Sequence, residues 1–257
     1  MKIASIASGS NGNCYYLGND DDAILIDAGI SARQIVERMA RLGLSLSKLR
    51  GVFISHEHSD HIRGIDVFSR KYSIPVFMTQ KTYVSYGHVI KDTLLNFFSP
   101  GEQVTLGNIY IHPFLKSHDA AEPCSFSVSS GSRNVAVMTD IGLQCANVIA
   151  HLMIADAIFL ESNHDEQMLH AGFYPAYLKK RIASDVGHLS NTQAALLTLT
   201  HASARLKHIF LSHLSANNNT PELAVRTFKH FTKQRSDLKL EVILTSREKE
   251  SRLVDLD

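Results

Sequence analysis

The sequence predicts a layered α/β fold with mixed β-sheets. Short apolar runs, several of them rich in β-branched residues, recur along the chain between turn-forming or charged residues, which is typical of buried strands. Windows with helical periodicity lie between many of these runs. The runs form hairpin-like groups near the N-terminus and in the middle, whereas helices separate them elsewhere. This arrangement indicates layers of helices and of sheets with both parallel and antiparallel strands.

The predicted strands are short, and each is bounded by turn-forming or charged residues. The acidic segment NDDD at positions 19–22 precedes the second of them and predicts a hairpin turn. In chain order the strands are KIASIA, AILIDAG, GVFISH, IPVFMT, IYIHPF, NVAVMTD, AIFLES, HIFLSH and EVILTS.

Three helical windows carry start or stop residues. Ser31 is a helix cap before ARQIVERMARLG, and Gly43 ends that run. Asn191 precedes the window TQAALLTLTHAS. Thr220 and Pro221 supply a cap and a first-turn proline for ELAVRTFKHFTK.

Composition places limits on the class of protein. With 257 residues and 44% hydrophobic content, the chain can bury a sizeable core, and we expect one domain over residues 1–257. The 26 Lys and Arg against 25 Asp and Glu give a net charge of +1, so polyanion binding would depend on a local surface.

The cysteines and the hydropathy pattern bear on the compartment. Cys14, Cys124 and Cys145 are widely spaced and odd in number, which argues against a disulfide framework or a thiolate metal site. No apolar stretch has the length of a signal peptide's core or of a membrane helix. We therefore expect a cytoplasmic protein without a membrane partner; its oligomeric state is left open.

The segment HEHSDH, directly after the apolar run VFI, concentrates metal-competent side chains. It misses the HExxH zinc motif by one residue, because Asp60 stands where the second histidine would be. His56 and His58 are two residues apart, so an extended segment places both imidazoles on one side, where they can bind one ion. Asp60 and His61 lie where the chain turns into the next element and suit a second ion.

Other predicted strands end in the same way. An apolar run closes in a hydroxyl residue and then a candidate ligand at His56, His118, Asp140 and His213. A rigid sheet that delivers ligands from several strand ends builds a site at one edge. The full set has five His and two Asp, hence only N and O donors, which suit Zn²⁺, Mn²⁺ or Fe in a two-ion site. The alternative is ordinary surface or core histidines, but five ligand-type residues in one turn have no packing rationale.

This pattern resembles the metallo-β-lactamase superfamily along essentially the whole chain. The segments SGSNGNCYY, IDAG, KSHDAAEPCSF, ESNHD, GHLSN and LSHLSANNN are similar to its YycJ/WalJ-like branch, which is related to phosphodiesterases and nucleases. The resemblance implies an αββα sandwich, in which two mixed β-sheets are flanked by helices and the site lies at one edge.

The resemblance also implies a ligand set for two divalent ions. His56, His58 and His118 would hold the first ion, and Asp60, His61 and His213 the second, with Asp140 as a bridge between them. Asp27, at the end of LIDAG, would orient a metal-bound histidine; the alternative is a carboxylate that only fixes the turn.

Several loops are candidates for substrate contact. IASGSNGNC lacks the ending of a P-loop, and its Gly9 and Gly12 suit positive φ. By resemblance this loop borders the site, so it could contact substrate phosphate. Polar side chains in two loops could reach the same phosphate. The candidate substrate-binding residues are Ser10, Asn11, Asn13, Asn217 and Asn218.

The implied reaction is hydrolysis by a metal-bridging hydroxide. Two ions would activate the bridging water and polarise the ester, and Asp60 could orient the nucleophile. His188 and His164 are the candidate general acids for the leaving group. His164 follows the apolar run that ends at Glu161, and the alternative there is a helix-capping loop in which Asn163 or Asp165 bonds the backbone.

Three functions fit these observations. The first is a phosphodiesterase or nuclease, such as a DNA exonuclease, with nucleic acid or another phosphodiester as partner. The second is hydrolysis of a thioester, a lactone or another small acyl substrate on the same fold. The third is a non-catalytic metal-binding signalling regulator, against which the complete ligand set argues.

Overall fold

The computed structural model describes residues 1–256, which divide into two compact units. Of these residues, the first unit comprises 1–115, 120–133 and 246–256, and the second comprises 116–119 and 134–245. That both units belong to one domain stays a prediction.

The first unit holds most of the strands and four of the α-helices. Asn19 and Asp22 bond each other across the connection between its second and third strands, which confirms the predicted hairpin turn. Its elements are β1 (Lys2–Ala7), β2 (Cys14–Gly18), β3 (Ala23–Ile26), α1 (Ala32–Arg41), a 3₁₀ helix (Leu46–Lys48), β4 (Leu49–Phe53), α2 (Ser59–Ile62), α3 (Ile65–Tyr72), β5 (Val76–Met78), α4 (Gln80–Tyr86), β6 (Leu95–Phe97), β7 (Val104–Leu106), β8 (Ile109–Leu115), β9 (Cys124–Ser130) and β14 (Val254–Asp255).

A mixed sheet organises this unit, in the order β14-β1-β2-β3-β4-β5-β6. The strands from β14 to β3 pair antiparallel, and those from β3 to β6 pair parallel. Strands β7, β8 and β9 follow as an antiparallel meander. The parallel part brings the C-terminal ends of β3 and β4 to the same edge, where the chain continues into candidate site residues.

Aliphatic and aromatic side chains form the core of the first unit. Ile6, Leu25, Val52 and Phe68 are all fully buried in one cluster. On the meander side of β4, the Phe53 ring stacks on Phe77 with 4.6 Å between centroids. Such pairs stabilise a core beyond the burial of apolar area.

The second unit alternates strands and helices. Its four strands pair parallel with their neighbours from β10 to β13, as expected when helices connect successive strands. Its elements are β10 (Arg133–Met138), α5 (Ala146–Ile154), β11 (Ala157–Glu161), α6 (Glu166–Ala171), α7 (Ala176–Ile182), α8 (Asn191–His201), β12 (His208–Ser212), α9 (Pro221–Thr232) and β13 (Glu241–Leu244).

The helix boundaries agree with the sequence prediction except in one case. Ser31 and Thr220 cap α1 and α9 as predicted, and Pro221 occupies the first turn. Helix α8 begins one residue earlier than predicted: Ser190 is its cap, and Asn191 is already helical. The reason is a capping box in which Ser190 and Gln193 satisfy each other's backbone N–H groups.

The strands form two mixed β-sheets flanked by helices, which confirms the predicted α/β fold class. Within residues 1–256, no helix is both long enough and apolar enough to cross a membrane.

Candidate metal centre

The HEHSDH segment leaves β4 and forms the first cluster of candidate ligands. His56 follows the strand in an extended stretch and is fully buried. His58 is the cap residue of α2, and Asp60 and His61 lie inside this short helix. The His56 ring lies 4.6 Å from that of His58 and 4.1 Å from that of His61. The predicted division of these residues between two ions stays a prediction.

The distances within each pair suit a shared ion. Nε2 of His56 lies 3.2 Å from Nδ1 of His58, and Nε2 of His61 lies 3.4 Å from Oδ2 of Asp60. Two ligands at about 2.0–2.1 Å from one tetrahedral ion are about 3.3 Å apart. Each pair therefore already has the spacing of two ligands of one ion.

Asp27 holds the rings of this cluster in place. Its Oδ2 lies 2.7 Å from Nδ1 of His61 and accepts from the Ser55 hydroxyl at 2.9 Å, while Oδ1 accepts from the Ser55 N–H. The same hydroxyl lies 2.9 Å from Nδ1 of His56. One buried carboxylate thus fixes His61 directly and His56 through Ser55, which is the arrangement that an orienting role requires.

Two loops pack closely against α2. The Asn13 N–H donates to the Asp60 carbonyl at 2.7 Å, and Asn13 Nδ2 lies 3.1 Å from Nε2 of His61. A Cβ atom at Gly29 would lie 1.6 Å from the same Asp60 carbonyl oxygen. Only glycine fits there, which explains the last residue of IDAG.

The second unit contributes a separate cluster around Asp140. His213 directly follows β12, and Asp140 follows β10 with one residue between them. Oδ1 of Asp140 lies 3.9 Å from Nε2 of His118, 3.7 Å from Nδ1 of His188 and 3.4 Å from Nδ1 of His213. The structure therefore brings His188, a predicted general acid, next to a predicted bridging carboxylate.

Glu161, the last residue of β11, organises this second cluster. Its carboxylate lies 2.9 Å from Nδ1 of His188 and 2.8 Å from Nδ1 of His213, and it accepts from the N–H groups of Asp140, Ile141 and Leu189. Burial raises the pKa of Glu161, but the charge and hydrogen bond of His188 and the hydrogen bond of His213 outweigh it and lower the pKa to about 2. The group is therefore an anion at neutral pH.

An amide network supports His213 from the other side. Asn163 Nδ2 donates to the His213 carbonyl at 2.9 Å. Asn219 Nδ2 in turn donates to the carbonyls of Ser162 and Asn163, and its Oδ1 accepts from Asn191. These amides are buried, so their hydrogen bonds give the loops after β11 and β12 a defined geometry.

Most of the candidate histidines share one pattern of hydrogen bonding. Each places Nδ1 against an oxygen and turns Nε2 the other way, as metal-binding histidines do. The partners are Ser55 for His56, Asp27 for His61, the Gly187 carbonyl for His118, and Glu161 for both His188 and His213. His58 differs, since its Nδ1 faces His56.

Backbone conformation also marks these positions. Among the described residues, the non-glycine positions with positive φ are Asp27 (62°), Ser73 (54°), Asp140 (55°) and His213 (56°). Ser73 ends α3 in the left-handed conformation that often closes a helix. The other three are candidate site residues, and such strained conformations cluster at functional sites.

Burial separates the two candidate general acids. His164 is 2% exposed, and burial lowers its pKa, so its ring is neutral and a poor proton donor at neutral pH. The backbone of His164 forms an isolated parallel β-bridge with that of Ser190, and the adjacent Asp165 caps α6. His188 is more accessible, with 13% of its side chain exposed. Of the two, His188 is the better placed for proton transfer.

The predicted substrate-binding residues differ in accessibility. Ser10 and Asn11 are exposed in the loop between Gly9 and Gly12, both of which have positive φ as predicted. Asn13 is fully buried, and its side chain serves α2. Asn217 is exposed and bonds the Tyr174 hydroxyl, whereas Asn218 is 1% exposed. Direct contact of these residues with substrate stays a prediction.

The donors present fit divalent metal ions. Within the second unit, one ligand atom each from Asp140, Glu161, His188 and His213 lies within 4.8 Å of the others. Burial, the largest influence, lowers the pKa of His118 to about 4, which keeps its imidazole in the neutral form that binds metals. The donors are nitrogen and oxygen without sulfur, as expected for Zn²⁺, Mn²⁺ or Fe.

Comparison with known proteins gives close relatives. The chain is 40% identical over 227 residues to exodeoxyribonuclease YycJ of Bacillus anthracis, covering 87% of this chain and 86% of the relative. It is 36% identical over 232 residues to exodeoxyribonuclease WalJ of Streptococcus pneumoniae, covering 88% and 86%.

Solved structures and a family model extend the comparison. The metallo-β-lactamase fold protein YhfI from Bacillus subtilis superposes with a TM-score of 0.73 at 18% identity over 98% of both chains, a likeness of fold alone. The family model described as the metallo-beta-lactamase superfamily matches residues 7–199. The chain therefore belongs to the metallo-β-lactamase superfamily.

Proposed function

We propose that this protein is a two-metal phosphodiesterase that degrades DNA as an exonuclease. The observation that carries the proposal is the shared pattern of His56, His61, His118, His188 and His213, whose Nδ1 atoms are held by oxygens. A hydrolytic metal centre needs this preorganisation, whereas packing does not. The relatives named exodeoxyribonucleases, at 36–40% identity, support DNA as the substrate.

In this proposal the candidate ligands bind two divalent ions. His56, His58 and His118 bind one ion and Asp60, His61 and His213 the other, with Asp140 shared, as the family resemblance implies. When bound, the two ions supply Lewis-acid stabilisation of the charge that develops on the phosphate. Asp27 and Glu161 are buried carboxylates that keep the imidazoles in the required tautomer and orientation.

The remaining polar residues divide between proton transfer and substrate binding. Asp60, only partly buried, accepts a hydrogen bond from the attacking nucleophile and orients it. His188 donates the proton to the leaving oxygen of the ester, because it is accessible and its Nδ1 is already bound to Glu161. Ser10 and Asn11, with Asn217, present exposed donors to the phosphate backbone.

A substrate panel tests the proposal. The purified protein, supplied with Mn²⁺ or Zn²⁺, is incubated with 5′-labelled single-stranded and duplex DNA and, in parallel, with thioesters and lactones. We expect shortening of the DNA from an end, loss of this activity in His118→Ala, and normal activity in His230→Ala, a control at an exposed position of α9. Hydrolysis of acyl substrates without DNA cleavage would replace the nuclease by an acyl hydrolase.

A further inference from the structure

An arginine-lined cleft lies beside the HEHSDH segment within the first unit. The cleft has a volume of about 590 Å³, and we name it the arginine cleft after Arg38, Arg63 and Arg247. Glu248 is the one acidic residue of its lining, so the charge of the cleft is positive. This local surface differs from the chain as a whole, whose net charge is only +1.

Arg38 forms the floor of the arginine cleft. It is 5% exposed and donates to the backbone carbonyls of Ile6, Arg247 and Glu248. These bonds fix the 247–248 segment against the sheet. The buried guanidinium keeps its charge, since an arginine stays protonated even where burial lowers its pKa.

Arg63 and Arg247 form the accessible part of the cleft. Arg63 is exposed, and its Nη2 donates to the carbonyls of Asn11 and Gly29 at 2.7 and 3.0 Å. Within residues 1–256, its Nε and Nη1 donate no hydrogen bond. The Arg247 side chain lies over the glycine loop, where a Cβ added to Gly9 would be 3.5 Å from its Nη2. An exposed guanidinium such as that of Arg63 is suited to phosphate, and Arg247 adds positive charge to the same cleft.

A second cavity begins on the other side of Arg63. We name it the aromatic pocket; it has a volume of about 470 Å³ and is lined by Arg63 together with Tyr86, His88 and apolar side chains such as Val89. The Tyr86 and His88 rings lie 4.9 Å apart. Aromatic rings at the mouth of a partly apolar pocket of this size suit a planar nucleobase.

Carboxylates supply hydrogen-bond acceptors to the aromatic pocket. Oε1 of Glu57 accepts from the Ala121 N–H at 2.8 Å, while its buried Oε2 has no hydrogen-bond partner among the described residues. Asp66 lines the same pocket. Carboxylates repel phosphate but accept hydrogen bonds from the amino groups of bases. The pocket therefore suits a base, whereas the arginine cleft suits the backbone.

We propose that the arginine cleft and the aromatic pocket form one track for a single DNA strand, joined at Arg63: the cleft binds backbone phosphates and the pocket takes a base. The inference rests on the proposed function and names the surface on which the DNA strand binds. It also gives Glu57, which has no place in the proposed ligand set, a part in base recognition.

The track is tested by the salt dependence of DNA binding. The metal-loaded protein is titrated with a fluorescein-labelled phosphorothioate single strand, which resists cleavage, at several salt concentrations. Removing one phosphate contact should lower the slope of log K against log salt by about 0.7. We expect this change, with roughly tenfold weaker binding, in Arg63→Gln and in Arg247→Gln. Tyr86→Ala should weaken binding about tenfold and leave the slope unchanged.

Controls separate the track from folding and from the proposed function. Arg226→Gln removes the same charge from an exposed site on α9 and should bind as the wild type does. Because Arg63 bonds two loops, Arg63→Gln could weaken DNA binding by disturbing them. Arg247→Gln is the second variant that tests the track in that case. If both arginine variants bind like Arg226→Gln, or the wild type binds no strand, the track is wrong. With unmodified DNA, a strand that is bound through the track but never cut would instead overturn the proposed function.

Discussion

Oδ2 of Asp27 lies 2.7 Å from Nδ1 of His61, and both side chains are buried. In the same way, Oε1 of Glu161 lies 2.8 Å from Nδ1 of His213. Each compact unit therefore has one buried carboxylate at the end of a strand that fixes the rings of candidate ligands. Both carboxylates act through the histidines that they position and not through contact with the substrate. Removing either one should therefore lower metal affinity or stability.

Asp27→Asn should lower metal affinity by about 10–100-fold, because the amide no longer stabilises the tautomer and orientation of His61. Asparagine tolerates the positive φ of this position, so the backbone should be retained. Isothermal titration of the metal-free protein with Zn²⁺ measures the change. Asp21→Asn, in the exposed hairpin turn, is the matched control. Equal affinity in both variants would mean that Asp27 only fixes the turn.

Glu161→Gln should lower the free energy of unfolding of the metal-free protein by about 2–4 kcal/mol. The reason is that a neutral amide cannot accept from all the backbone and imidazole donors that surround this buried carboxylate. Urea unfolding measures the loss. Glu222→Gln, on the exposed face of α9, should change stability by less than about 0.5 kcal/mol. A similar small change for Glu161→Gln would contradict its organising role.

Arg50→Met should destabilise the protein by about 1 kcal/mol at neutral pH and by less in acid. A hydrogen bond from Arg50 lowers the pKa of the Asp22 carboxyl below its usual value of 3.8. Stability from a lowered pKa is present above the unfolded value and is lost as the pH falls through the folded value. Urea unfolding of both proteins at several pH values should show their difference shrinking below about pH 4. A difference that grows in acid would exclude this ion pair as its source; Arg33→Met is the exposed control.

The thiols should react with iodoacetamide at very different rates. Cys14 and Cys124 are buried, and burial raises the pKa of the Cys14 thiol far above its usual range. Cys145 is partly accessible. Because the thiolate is the reactive form, mass spectrometry should find one fast label per native chain and three after denaturation. Rapid labelling of Cys14 in the native protein would show that its strand opens readily.

The fold class and the turn of HEHSDH into the next element were predictable because both depend on local patterns. Apolar runs set the strands, and the two-residue spacing of His56 and His58 sets a common side in extended chain. The role of Glu161 was not predictable to the same degree. It ends a strand as the candidate ligands do, but its five donors come from residues that only the fold brings together.

The buried position of Asn13 was likewise not predictable from the sequence. A polar side chain beside glycines suggests substrate contact, yet the fold turns it inward against Asp60 and His61. Its burial depends on the close approach of Gly29 to α2, which involves segments about thirty or more residues apart in sequence. The choice of Ser190 over Asn191 as a cap was local, and the capping-box pair with Gln193 was the signal for it.

The metal content of the purified protein tests the central claim of a two-ion centre most directly. Plasma mass spectrometry after metal loading and dialysis should give close to two divalent ions per chain. Asp140→Ala should retain fewer, because the proposed bridge is lost. A wild-type protein that saturates at one ion would contradict the two-metal centre, and an Asp140→Ala variant that keeps both ions would contradict the bridging role of Asp140.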